Sequence, residues 1–158
     1  MLGFTLGTGL GSAITRQGQV LDAALWCAPF RDGIAEDYFS TRWFLSRYEQ
    51  LSGTAVAGVK VLADAASTDP HARQVFEEFG ENFSHFLAPL LMVHEVDMVI
   101  LGGNIARAYP SFSASLSEGL AQYGRRPRIQ PSTLNEQAAI IGAAAHAANP
   151  HPLNSLNL

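Results

Sequence analysis

Apolar residues come in two kinds of run along this chain, short ones bounded by glycine and long ones at helical spacing. Residues 2–6 form a short apolar stretch that predicts a strand, and Ser12, Ala13, Ile14 and Thr15 predict a second. Gln17 and Gly18 predict a turn, with Val20 and Leu21 opening a third strand. Residues 22–33 look irregular, punctuated by Pro29 and the pair Asp32-Gly33. The spacing of Tyr38, Phe39, Phe44, Leu45, Tyr48 and Leu51 predicts one helix over 35–51, with Gly53 just past its end. A shorter helix over 58–66 precedes Asp69-Pro70, an N-cap aspartate before a first-turn proline. Ala72, Val75, Phe76, Phe79, Phe83, Phe86, Leu87, Leu90 and Leu91 then make one continuous apolar stripe. They predict the longest helix, the spine of the core, bent at Pro89. A strand over 96–101, a helix over 111–123 and a short strand at Arg128-Ile129 follow. Thr133 and Glu136 form a capping box before a last helix that reaches Ala148, and residues 151–158 read as a polar, frayed tail.

This order predicts an α/β domain, a small mixed sheet with several flanking helices. Residues 1–149 form the domain and 150–158 its tail. A length of 158 residues supports one real core. The balance of 47% hydrophobic and 15% charged residues describes a globular protein with a rather apolar surface. Ten basic residues against fourteen acidic ones give a charge of −4, which argues against a surface that coats nucleic acid. Arg125, Arg126 and Arg128 make the only basic cluster, and they read as a solvated loop. Cys27 stands alone, so an internal disulfide and any multi-cysteine metal site are excluded. There is no signal peptide, and the longest uncharged run, rich in alanine and glycine, is broken by Pro150. A cytoplasmic protein without a membrane partner is the expectation.

Candidate chemistry sits where glycines cluster beside strands. Gly7-Thr8-Gly9-Leu10-Gly11 separates the first two strands. Glycines there let the backbone fold tightly and bring N–H groups to an anion, and Thr8 adds a hydroxyl donor. An ordinary hairpin shows the same string, so this run alone leaves both readings open. Gly102, Gly103 and Asn104 close the strand over 96–101, at the end where α/β sheets bind flat ligands. A common strand-to-helix turn is the alternative there.

Taken together, the two turns are similar to the second phosphate motif and the adenosine motif of the actin-like ATPase superfamily, which includes hexokinases and the 70-kDa heat-shock proteins. Within it the chain resembles most the C-terminal half of the ROK family (repressors, uncharacterised frames and sugar kinases). GFTLGTGLGSAI at 3–14, GIAEDYFSTRWF at 33–44, FGENFSHFLAPLL at 79–91, VILGGNIARA at 99–108 and AAIIGAAAHA at 138–147 carry the resemblance, in family order. It implies a single ribonuclease-H-like lobe. It also implies ATP with Mg²⁺, the phosphates at Gly7, Thr8, Gly9 and Gly11 and the adenosine at Gly102, Gly103 and Asn104. The family's kinases transfer phosphate to a sugar, in the manner of a glucokinase. Their first phosphate loop and catalytic aspartate lie upstream of the first turn, where this chain has only Met1 to Leu6. A nucleotide-binding lobe that is inactive alone and supplies no catalytic residue is therefore expected. A stand-alone lobe that has lost catalysis and survives by self-association is the alternative. The repressors carry a helix-turn-helix upstream, which this chain lacks.

The resemblance also marks departures. Family kinases often hold zinc through a histidine and a Cys-x-Cys-Gly-x-x-Gly-Cys-x-Glu segment. The matching stretch here runs from Cys27 to Glu36 with one cysteine, and His71, His85, His94, His146 and His151 are too scattered to replace the rest. No zinc is expected. Glu36 survives where the family's closing glutamate contacts sugar hydroxyls, although a carboxylate there equally favours the start of the helix at residue 35. The family's Gly-Glu-x-Gly-His sugar motif has no match; Leu21 to Trp26 stand in its place. Trp26 and Phe30 suit stacking on a ligand or packing in a core. Finally, residues 135–148 are nearly all Ala, Ile and Gly, with Glu136 and His146 to face water. A helix that apolar leaves Ile140 or Ile141 exposed in a monomer and predicts a homodimer, or cover from the missing lobe.

Overall fold

A hairpin opens the fold. In the computed structural model, which describes residues 1–16 and 19–132, β1 (Leu2–Leu6) pairs antiparallel with β2 (Leu10–Arg16), and β2 with β3 (Gln19–Asp22). The second strand thus begins at Leu10, earlier than expected, because Leu6 faces Leu10 across a tight connection. The stretch expected to be irregular holds a 3₁₀ turn at Leu25–Cys27 and a small hairpin of β4 (Pro29–Phe30) and β5 (Gly33–Ile34). The helix expected over 35–51 is two helices, α1 (Ala35–Tyr38) and α2 (Thr41–Ser52). Ser40 breaks them apart: it is the extended residue in front of α2, with φ −123° and ψ 163°. After Gly53 in the left-handed region come α3 (Val59–Ala65) and α4 (Pro70–Val93), whose start is capped by the Asp69 carboxylate accepting from His71 N–H at 2.8 Å. The long helix continues through Pro89. β6 (Met98–Gly102), a 3₁₀ turn at Ile105–Ala108, α5 (Tyr109–Gln122) and β7 (Arg128–Pro131) complete the order.

The sheet runs β3-β2-β1-β6-β7, with β6 parallel to both β1 and β7. This is the expected α/β fold with a small mixed sheet. The Gln17-Gly18 turn, the capping box at Thr133, the last helix and the tail lie outside the described residues.

One face of the sheet carries the core. Leu2, Phe4 and Leu6 of β1, Leu10 and Ile14 of β2, and Val99 and Leu101 of β6 are buried at period two. Phe83 and Phe86 of α4 meet Phe4 at 5.4 and 6.4 Å between ring centres, and Phe76, Phe79 and Leu87 share their buried face, four or fewer residues apart as one helical face requires. All nine phenylalanines of the chain touch another ring. Phe79 is the hub, 4.7 Å from Phe44 and 5.0 Å from Phe112 between ring centres. Such pairs contribute about 0.5–1.5 kcal/mol each beyond simple burial. Phe30 belongs to this network, against Phe39 and Phe86, whereas Trp26 is exposed.

The crossing of α4 and α5 depends on glycine. A Cβ on Gly80 would lie 2.7 Å from the Phe112 carbonyl oxygen, and one on Gly119 would lie 2.6 Å from Ser84 Cβ. Neither position has room for a side chain. On the other flank α2 is tied to α4 by a fork: Arg47 donates through Nε to Glu78 at 2.6 Å and through a terminal nitrogen at 2.8 Å. That bidentate pair holds the Glu78 carboxyl below its ordinary value, and Gln74 adds a third bond at 2.8 Å. Tyr48 donates to Asp69 at 2.7 Å, which likewise lowers the aspartate.

Candidate functional site

β1, β6 and β7 are parallel, so all three end on the same side of the sheet. That is where open α/β sheets place their ligands. β1 runs into Gly7, β6 into Gly103, and Ser132 after β7 donates its N–H to the Leu101 carbonyl at 2.7 Å. Gly103 has φ +88°, and a Cβ on it would overlap the Leu6 carbonyl and stand 2.9 Å from Leu6 N. Only glycine lets the second turn lie against the end of β1. The two glycine turns, far apart in sequence, are thereby brought side by side.

The first turn is a three-residue connection, Gly7-Thr8-Gly9, closed by the Leu6–Leu10 pair and by a bond from Gly7 N–H to Gly9 O at 3.1 Å. Gly11 is not at its tip; it lies in β2 opposite Thr5, where a Cβ would be 3.4 Å from Thr5 Cβ. Thr8 is exposed, and the N–H groups of Thr8 and Gly9 donate to nothing among the described residues. Two adjacent open donors on a bend of glycines form a small concavity suited to an anion. Asn104, also exposed, follows the second turn and leads into the 3₁₀ turn with a side chain that caps nothing.

The break at Ser40 explains how the first turn is held. Thr41 donates to the Gly7 carbonyl twice, from its N–H at 2.7 Å and from its hydroxyl at 3.0 Å. From the other side Glu36 Oε2 accepts the Leu10 N–H at 3.0 Å. A Cβ on Gly9 would stand 2.7 Å from that same oxygen, so the carboxylate lies directly against the turn. Glu36 is half-buried, and its other oxygen has no partner among the described residues. Sequence reasoning singled out Glu36 but missed Thr41. The signal was present: a Ser-Thr pair inside a helical pattern is a cap signature.

Next to Glu36, Asp37 is engaged elsewhere, accepting from Ile34 N–H and from Arg42, both at 3.1 Å. Tyr38 donates to Asp32 across the small hairpin, holding that carboxyl below its ordinary value and raising the phenol. Ser40 is buried, and its hydroxyl finds no partner among the described residues. Cys27 is exposed and its thiol donates to Ala24 O at 3.3 Å. Among the described residues no three His, Cys, Asp or Glu side chains gather where a metal ion could be held, and no helix is long and apolar enough to cross a membrane.

Known proteins share this architecture. The chain is 24% identical to N-acetyl-D-glucosamine kinase of Pectobacterium carotovorum subsp. carotovorum (strain PC1), over 91% of its own length and 57% of that protein's. It therefore spans little more than half of that relative. A crystal structure of glucokinase from Parabacteroides distasonis overlays with a TM-score of 0.83 at 21% identity, covering 95% of this chain and 58% of that one. A ROK family glucokinase from Streptomyces griseus, in complex with glucose and AMPPNP, overlays at 0.74 with 22% identity, covering 91% of this chain and 59% of that one. The overlays establish the shared fold. Residues 22–149, most of the chain, match the ROK family, and the chain therefore belongs to it.

Proposed function

We propose that this chain is the nucleotide-binding half of a ROK-type, ATP-dependent sugar kinase. The observation that carries the reading is the juxtaposition of two glycine turns, with the Thr8 and Gly9 N–H groups left open among the described residues. In this reading the phosphates meet Gly7, Thr8 and Gly9, with Gly11 keeping the strand behind them thin. The adenosine lies along Gly102, Gly103 and Asn104, and Glu36 offers its free oxygen to a sugar hydroxyl. Magnesium bound with the nucleotide would neutralise the charge on its phosphates. Phosphoryl transfer depends on positioning and electrostatics, and on a base for the attacking hydroxyl. The family's base is an aspartate of the other half, so in this reading Glu36 binds sugar without being the base, and the isolated chain transfers no phosphate at a useful rate.

Isothermal titration with ATP and Mg²⁺ tests the reading. Weak binding is expected, and Gly9→Val, which forces a branched side chain against Glu36, abolishes it. If wild type and variant titrate alike, the cradle is misplaced. A coupled assay showing steady hexose-dependent ADP release by the chain alone would refute its inactivity.

A second reading, a self-associating module without catalysis, draws on the edge of the sheet. β3 is exposed along its whole length, with Val20 at 65% and Leu21 at 51%. An open apolar edge invites pairing with another strand. Sedimentation equilibrium decides: a dimer that binds no nucleotide favours the module, and a monomer at tens of micromolar excludes it.

A further inference from the structure

We propose that Glu36 is a positioning residue for the phosphate turn, acting through the Leu10 amide, in addition to any contact with sugar; this rests on the nucleotide-binding reading above. The geometry is asymmetric in a telling way. The turn has two shoulders, the Gly7 carbonyl and the Leu10 N–H, and each is bonded to the same short segment of chain. Thr41 holds the first by two bonds at 2.7 and 3.0 Å, and Glu36 holds the second at 3.0 Å. Between the shoulders, the N–H groups of Thr8 and Gly9 are unbonded among the described residues. A turn gripped at both ends cannot swing those donors inward onto its own carbonyls, so they remain available to an anion. Preorganised donors bind more tightly than donors that must be ordered on arrival.

A carboxylate is an unusual grip so close to a phosphate site, because its charge opposes the ligand's. The bond to Leu10 takes up Oε2 and draws that charge into a charge-assisted hydrogen bond with the backbone. Oε1 remains open. A sugar hydroxyl that donates to Oε1 would hold the carboxylate in place, while one that captured Oε2 would free Leu10 and loosen the turn. Glu36 is thus a side chain through which arrival of a hydroxyl-bearing substrate would be felt at the phosphates.

Three proteins and two readouts test this: wild type, Glu36→Gln and Glu36→Ala, each titrated with Mg·ATP and with adenosine, and each examined by amide hydrogen exchange. Glu36→Gln keeps an acceptor and is expected to behave nearly as wild type. Glu36→Ala is expected to weaken Mg·ATP by about tenfold while adenosine changes less than about twofold. Its Leu10 amide should exchange at least about tenfold faster, with the amides of the α4 core unchanged. Equal loss of ATP and adenosine would show a merely structural residue and overturn the proposal. So would an unchanged Leu10 amide or unchanged ATP affinity in Glu36→Ala. If wild type itself ignores Mg·ATP and adenosine, the nucleotide-binding reading fails with it; if wild type binds and only the variants disagree, this inference alone is wrong.

Discussion

The buried face of the sheet is made of side chains, whereas the end where β1 and β6 stop is made of backbone. On the face, phenylalanine rings from three helices, two strands and the break at Phe39 interlock around Phe79, and most are wholly buried. At the end, the working groups are N–H donors and carbonyls, and the residues that matter are those with no side chain. The first region tolerates a shift of backbone if volume is kept. The second tolerates changes of side chain wherever no Cβ intrudes, but no shift of backbone. Stability and function are therefore exposed to different substitutions.

The largest effect should come from the first region. Phe79→Ala removes the hub ring and is expected to cost about 3–5 kcal/mol in urea or guanidinium unfolding, without changing the glycine turns. A loss below about 1 kcal/mol would mean that the rings collapse freely and that the core is not a single jigsaw. Gly103→Ala probes the second region. Its positive φ and the overlap with the Leu6 carbonyl should cost about 2–3 kcal/mol, from a single methyl group. An unfolding midpoint equal to that of wild type would show that the second turn does not rest on β1.

A smaller effect is expected at the tie between α2 and α4. Arg47 lowers the Glu78 carboxyl from its ordinary value of 4.5, so the folded state holds its proton less tightly than the unfolded chain does. The sign follows: this stabilisation is complete above 4.5 and fades as the pH falls through the lower folded value. Glu78→Gln should cost about 1 kcal/mol at neutral pH and flatten the acid limb of a stability profile. Parallel profiles for the two proteins would remove the pair from the account. The smallest effect belongs to Ser40→Ala. The hydroxyl is buried without a partner among the described residues and caps nothing, so its removal should change stability by less than about 0.5 kcal/mol. A loss beyond about 1 kcal/mol would reveal a bond to Ser40 that the geometry does not contain.

How much could be read in advance divides along the same boundary. The stripe from Ala72 to Leu91 announced α4 because a helix repeats its buried face every three or four residues, and that rule is local. The strands and both glycine turns were legible for the same reason. The mixed sheet was legible in class, but its pairing of β1 with β6 was not, since register depends on partners distant in sequence. Residues 35–51 misled because Phe39 and Phe44 keep helical spacing across a break. Tertiary contacts imposed that break: Phe39 turns into the ring network while Thr41 reaches the Gly7 carbonyl. Glu36 was noticed for its chemistry, yet its bond to a backbone amide in the first hairpin has no sequence signature at all. Gly11 shows the reverse error, a glycine of the right string that belongs to a strand and not to the bend.

The segment from Glu36 to Thr41 behaves as a ruler. Its two ends grip opposite shoulders of one small turn, and Phe39 between them is fixed in the core. Inserting or deleting a single residue there would move one grip off its mark whatever residue was chosen. The stretch after Gly53, where Thr54 and Ala55 are exposed, has no such double grip among the described residues. Natural variation in length should therefore gather between α2 and α3 and avoid the few residues between Glu36 and Thr41. A library of one-residue insertions, sorted for folded protein, would draw that contrast as a map.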